Sequence, residues 1–152
     1  MLPRADWQAL IPHAGAMCLL DAVVAWDEAS VHARSGSHRS PRNPLRSGGI
    51  LRALHLCEYG AQAMAVHGGL LARTRGGLAR PGLLVSLRDV ELAVARIDGL
   101  AGDLDVHAEC LDADARAWQY AFRVVHGGQE LARGRAMVVL SGSRQESPSQ
   151  AS

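Results

Sequence analysis

Glu58 is the one acidic residue between Ala29 and Arg88, a span that also carries nine arginines. Its sequence neighbours are Leu54, Leu56, Cys57, Ala61 and Gln62. Apolar surroundings raise the pKa of a carboxyl, so Glu58 is expected to hold a proton at higher pH than a free glutamate does. A carboxylic acid of that kind can protonate a departing group, and a neutral histidine can take up a proton at the same pH. His55 lies three residues before Glu58 and would share its helical face. Gln62, one turn later, is placed to hydrogen-bond the carboxylate. If the helix begins near Ala53–His55, its first N–H groups, at Ala53 and Leu54, face any oxygen that gains negative charge. The competing reading makes Glu58 a partly exposed residue paired with an arginine such as Arg52.

Other chemistries find little support. All sixteen cationic residues are arginine, which removes every lysine-based mechanism. Cys18, Cys57 and Cys110 are scattered, without CxxC or CxxxH spacing, so no metal site is expected and free packed thiols are. No GxGxxG follows a strand, so no nicotinamide or flavin site is expected. A net charge of +1 argues against a chain-wide anionic partner such as duplex DNA. The arginines lack the interleaved aromatics that stack single-stranded bases, Tyr59 aside. No signal peptide or membrane-length apolar run is apparent, and a cytoplasmic protein is expected. Acids outnumber arginines from Asp89 to Glu130, so charge is segregated along the chain. The basic half suits a phosphate, a carboxylate or an acidic carrier, or is simply a solvated face.

The elements that must position these residues follow from periodicity. A short helical lead-in over 4–10 ends at Ile11-Pro12-His13. Residues 18–27 and 29–37 read as strands, and 38–49 as an irregular loop. Residues 50–67 lack alternation and form a helix that is apolar or small almost all round, which belongs inside a fold. Gly60, Ala61, Ala63 and Ala65 would let a sheet approach it closely, and Gly68-Gly69 would cap it. Residues 70–82 read as loop. Strands then follow over 83–97, 104–110, 118–124 and 129–140. The domain spans residues 1–141, and 142–152 read as a disordered polar tail.

Two strands, one buried helix and about four antiparallel strands describe an α+β domain: a sheet of about six strands wrapped around a central helix, the hot-dog arrangement. Its unpaired edge should join a second copy. Within that frame, Ile11-Pro12-His13, Met17 and Leu19-Leu20-Asp21 resemble the opening motif of the FabZ/FabA-type 3-hydroxyacyl-carrier-protein dehydratases. Glu58-Tyr59-Gly60-Ala61-Gln62 resembles the Glu-x-x-Ala-Gln of their central helix. His38 through Asn43-Pro44-Leu45-Arg46 to Ala63-Met64-Ala65 is closer still to the divergent ApeP-like branch of aryl-polyene and pigment clusters.

The resemblance, over roughly residues 8–140, implies dehydration of a 3-hydroxyacyl thioester to a trans-2-enoyl thioester. It implies no cofactor beyond the phosphopantetheine arm of an acidic acyl carrier protein that holds the substrate. In the family a histidine of one subunit meets the helix carboxylate of the other. The matching positions are His38 and Glu58, with His55 the alternative histidine. Asn43 and Arg46 would order the long loop or touch substrate, and His13 would brace the first strand. Two departures stand out: the short His-x-Pro-Gly loop is replaced, and Ala53 stands where the family has the glycine facing the thioester oxygen. The partner subunit would be identical or a paralogous hot-dog chain. The other functions considered are an acyl-thioesterase, in which a helix carboxylate activates water, and a non-catalytic acyl-binding or assembly subunit.

Overall fold

The computed structural model describes residues 1–77 and 82–140. Seven strands form one antiparallel sheet: β1 (Leu2–Pro3), β2 (Ala22–Trp26), β3 (Ser30–Ser35), β4 (Gly82–Leu92), β5 (Leu104–Ala113), β6 (Ala117–His126) and β7 (Gln129–Leu140). Their order across the sheet is β1-β2-β3-β5-β6-β7-β4. The helix α1 (Leu56–Thr74) packs on the inner face, chiefly against β3, β5, β6 and β7. Alternation in the sequence sets that face: Val31, Ala33, Leu104, Val106, Ala108, Tyr120, Phe122 and Val124 are all buried. His32, Arg34, Asp105, His107 and Arg123 alternate with them and point to the other side. This is the expected hot-dog architecture, with β1 as a short strand beyond the six anticipated. The proposed tail, residues 142–152, lies outside the described residues.

The helix differs from expectation at both ends. Ala53–His55 is a 3-10 turn, and α1 runs from Leu56 to Thr74 rather than stopping at Gly68-Gly69. Gly69 serves packing instead, since a Cβ there would lie 2.8 Å from Leu10 Cβ in the 3-10 lead-in. The actual stop is seven residues on. Gly76 takes φ +78°, the Gly77 N–H donates to Ala72 O (2.9 Å) and the Gly76 N–H to Arg73 O (3.1 Å), forming a Schellman cap. The prediction from small residues holds best at Gly60, where an added Cβ would sit 2.6 Å from the Phe122 ring of β6.

Bulges that periodicity did not show interrupt several strand pairings, those of β4 and β7 among them. The strand expected over 83–97 ends at Leu92, with a register break between Arg88 and Glu91 and Asp89 at φ +55°. Residues 95–97 instead run beside the helix approach: Ala53 N–H donates to Ala95 O (3.0 Å) and Ile97 N–H to Leu51 O (2.9 Å). On β7, the break opposite Val124/Val125 turns both Leu131 and Ala132 inward, which accounts for the irregular alternation there.

The glycines give a paired test. Gly60→Ala should destabilise the protein by about 1–3 kcal/mol through overpacking on Phe122. Gly68→Ala meets nothing within 4 Å and should stabilise α1 by about 0.5–1 kcal/mol. Urea unfolding of both variants checks the signs.

Candidate active site at the start of the central helix

Glu58 lies in the first turn of α1, but its side chain is exposed. This corrects the expectation of a buried carboxyl: the helix is buried, and its first turn is where it emerges. Neither Arg52 nor any other described residue forms a salt bridge or hydrogen bond with Glu58. The anticipated bond to Gln62 is absent as well. Gln62 is 1% exposed and its amide is spent elsewhere, accepting from Leu19 N–H (2.9 Å) and donating to Met17 O (2.5 Å). It braces the segment before β2 and leaves the carboxylate free.

The helix approach is held firmly. Asp98 receives the Arg96 guanidinium through both oxygens (3.0 and 2.7 Å) and the Leu51 N–H (3.0 Å). Those bonds, Arg96 first, keep its carboxyl well below the usual range. The Ala53 N–H is already committed to Ala95 O, and the His55 N–H donates to Arg52 O (3.1 Å). That leaves Leu54, whose side chain is 60% exposed, as the residue whose N–H is open at this turn. His55 is half-buried beside it, its ring without a hydrogen bond among the described residues.

His38 sits on a 3-10 turn (Ser37–Arg39) within the expected loop and is completely buried. Its Nε2–H donates to Leu100 O (2.9 Å), which leaves Nδ1 carrying the lone pair of the neutral ring. Nδ1 is buried without a partner. Burial holds the His38 pKa below its ordinary value, so the ring is neutral at pH 7. The structure does not join His38 to Glu58 within one chain: no hydrogen bond links them. Arg46 and Asn43 both order the loop around His38. Arg46 donates to His38 O (2.9 Å) and Gly49 O (2.8 Å). Asn43 Nδ2 donates to Ser37 O (3.0 Å) and to the Tyr59 hydroxyl (3.1 Å), and its Oδ1 accepts from Leu45 N–H (2.9 Å). His13, half-buried, has its Nδ1 buried without a partner, and no bond from its side chain to the strand is present.

Sequence reasoning passed over two residues. Tyr59 is wholly buried, with its hydroxyl 2.7 Å from Ser37 Oγ. It is the single aromatic between Trp26 and Trp118, and a phenol on a buried helix must find polar partners, so a signal existed. His67 is also wholly buried, bridging Tyr120 OH (2.8 Å) and Asp27 O (2.9 Å). On the far side of the sheet His32 stacks on His107 (centroids 4.3 Å apart) and meets Asp105 (2.7 Å). Among the described residues no cluster of three or more His, Cys, Asp or Glu could hold a metal ion. No described helix is long and apolar enough to cross a membrane.

One helix enclosed by an antiparallel sheet, with a free carboxylate where the helix emerges, defines a hot-dog domain, and solved structures share it. The dehydratase heterocomplex ApeI:P of Xenorhabdus doucetiae matches at TM-score 0.80 and 23% identity, over 92% of this chain and 91% of that one. A hypothetical thioesterase with coenzyme A from Streptococcus pneumoniae matches at 0.58 and 11%, over 79% and 84%. AziG of S. sahachiroi matches at 0.58 and 19%, over 86% and 97%. At these identities the likeness is one of fold. No curated protein is significantly similar in sequence. The family itself is shown by sequence: the chain belongs to the ApeP-like family, whose model, described as ApeP dehydratase, matches residues 5–147. It is a dehydratase, a hydro-lyase, as the motif resemblance implied.

The buried histidines set a pH dependence. Burial holds His38 and His67 below the ordinary value, and burial, then Arg123, holds His107 down at about 4. The unfolded chain therefore binds more protons than the native one below pH ~6.5, and stability falls as pH drops through that window. The urea midpoint should decline between about pH 7 and 5, and less steeply in His67→Gln; a flat or rising midpoint refutes the account.

Proposed function

We propose that this dehydratase acts on a 3-hydroxyacyl thioester carried on the phosphopantetheine arm of an acidic acyl carrier protein. The product is the trans-2-enoyl thioester, made for a polyene or pigment or for a fatty-acid-like chain. The observation that carries the site assignment is that Glu58 stands unpaired at the helix start, beside the open Leu54 N–H. His38 Nδ1 is buried in this chain and must be uncovered as substrate enters; it then takes the proton from C2, the electron pair of that bond forms the C2–C3 double bond, and the C3–O bond breaks. Glu58 gives its proton to the departing hydroxyl, and water leaves. The Leu54 N–H faces the thioester oxygen as it gains charge, in place of the Ala53 donor that Ala95 occupies. His55, half-exposed on the face of Glu58, is a second reading of the base.

Glu58 needs cover that this chain alone does not supply, so a second hot-dog subunit, identical or paralogous, belongs in the reading. β4 is an edge strand of eleven residues, with Leu84, Leu87 and Leu92 each about 40% exposed, and such an edge recruits another sheet. The Xenorhabdus doucetiae relative is a heterocomplex, which favours a paralogous partner. Arg42 and Arg52, exposed and without an ion pair among the described residues, give the carrier a basic rim. Three free thiols suit the reducing cytoplasm.

The test supplies the purified protein, with its partner subunit, a 3-hydroxyacyl-carrier thioester and follows enoyl product against free thiol. Enoyl product without thiol release is expected, and thiol release alone would indicate a thioesterase. Glu58→Gln should lower the rate about 10²–10⁴-fold. His38→Gln should do the same while His55→Gln does not; the reverse pattern would transfer the base to His55.

A further inference from the structure

The helix residue next to Glu58 is buried in the fold, and its hydroxyl is a link in a chain of hydrogen bonds whose direction is determined. Ser35 Oγ–H donates to Leu19 O (2.5 Å), so Ser35 Oγ must accept from Ser37 Oγ–H (2.9 Å). Ser37 has then spent its proton and must accept from Tyr59 O–H (2.7 Å), while Tyr59 oxygen accepts from Asn43 Nδ2–H (3.1 Å). The donors run Asn43, Tyr59, Ser37, Ser35, and the chain ends on the Leu19 carbonyl oxygen, which accepts. Leu19 N–H returns to α1 through Gln62 Oε1, three residues after Tyr59 and on the same helical face. The ring so closed starts and ends on α1, and the turn it encloses is the one bearing His38.

We infer that Tyr59 is a positioning residue: its phenol fixes the Ser37–His38 turn to the same helix turn that presents Glu58. The inference rests on the assignment of His38 as base. Three features make Tyr59 the key member. It is wholly buried, so no water can replace its hydroxyl without repacking. It is shared by both arms of the loop, Ser37 before His38 and Asn43 after it. Removing the oxygen leaves Ser37 Oγ without its donor and one of the two Asn43 Nδ2–H groups without its acceptor, in a low-dielectric chain where each bond polarises the next. His38 itself has only Leu100 O to orient its ring, so the backbone beneath it must be held by its neighbours.

Tyr59→Phe in the assembled enzyme should lower kcat about tenfold or more with KM changed less than about twofold, because binding is intact and the base is misplaced. A second signature separates positioning from loss of folded protein. Loosening the turn lets water reach His38, which undoes the burial that keeps its pKa low, so the acid limb of the kcat–pH profile moves to higher pH. Ser37→Ala breaks the same chain from the loop side, should move the same limb, and serves if Tyr59→Phe fails to fold. The double variant should be no slower than the slower single one, since both remove one connection. Wild-type kcat and an unmoved limb in both singles, with His38→Gln inactive, would overturn the role of Tyr59 alone. Full activity in His38→Gln would overturn the base assignment and this inference together.

Discussion

A helix without a polar stripe exists in water only when something encloses it, and α1 is enclosed down to atomic contact. Gly60 lets the Phe122 ring lie where a methyl group would be, and Gly69 does the same for Leu10. Gly60 thus sets how closely β6 of the sheet approaches the helix, and Gly69 sets how closely the 3-10 lead-in does. The inward residues of β3, β5 and β6 reach the helix, and the loop between β3 and α1 must fold down over its first turns.

That loop is polar, and polarity inside a core has to be matched. Tyr59 and Gln62 supply the matching from the helix, and Asn43, Ser37 and Ser35 from the chain that precedes it. Arg46 and Leu100 then secure His38 from its carbonyl and its ring. The result is a division of labour on α1: its inner face builds a rigid polar frame, and its first turn leaves a carboxylate unbound. The proposed proton transfers would draw on both, a rigid frame and an uncommitted carboxylate.

The sequence was most readable where periodicity alone decides. Alternation located β5 and β6, and the small residues around Gly60 marked the buried helix. Legibility failed where a residue could serve either of two purposes. Gly68-Gly69 reads as a cap, and only the proximity of Leu10 reveals packing; the Schellman glycine is Gly76. Alternation over 83–97 hides the bulge at Asp89, because a bulge depends on the partner strand. For the site, the carboxylate and the loop residues were visible as types, but their orientations were not. Glu58 and Gln62 are one turn apart, yet one is exposed and the other buried with its amide committed to Leu19 and Met17, and spacing cannot separate a brace from an uncommitted carboxylate. The uncommitted N–H passes from Ala53 to Leu54 because Ala95 lies opposite, a long-range fact that no local pattern records.

Glu58 and Tyr59 are consecutive, and about 100° of helical rotation separates them. One leaves the chain while the other is locked into the polar frame, so a single peptide unit is a pivot between outside and inside. A tilt of the first turn of α1 that withdraws the carboxylate must also pull on the turn that carries His38. In an assembly where the carboxylate of one chain works beside the histidine of another, that pivot behaves as a mechanical linkage. The two catalytic centres would then share one degree of freedom and adjust in concert.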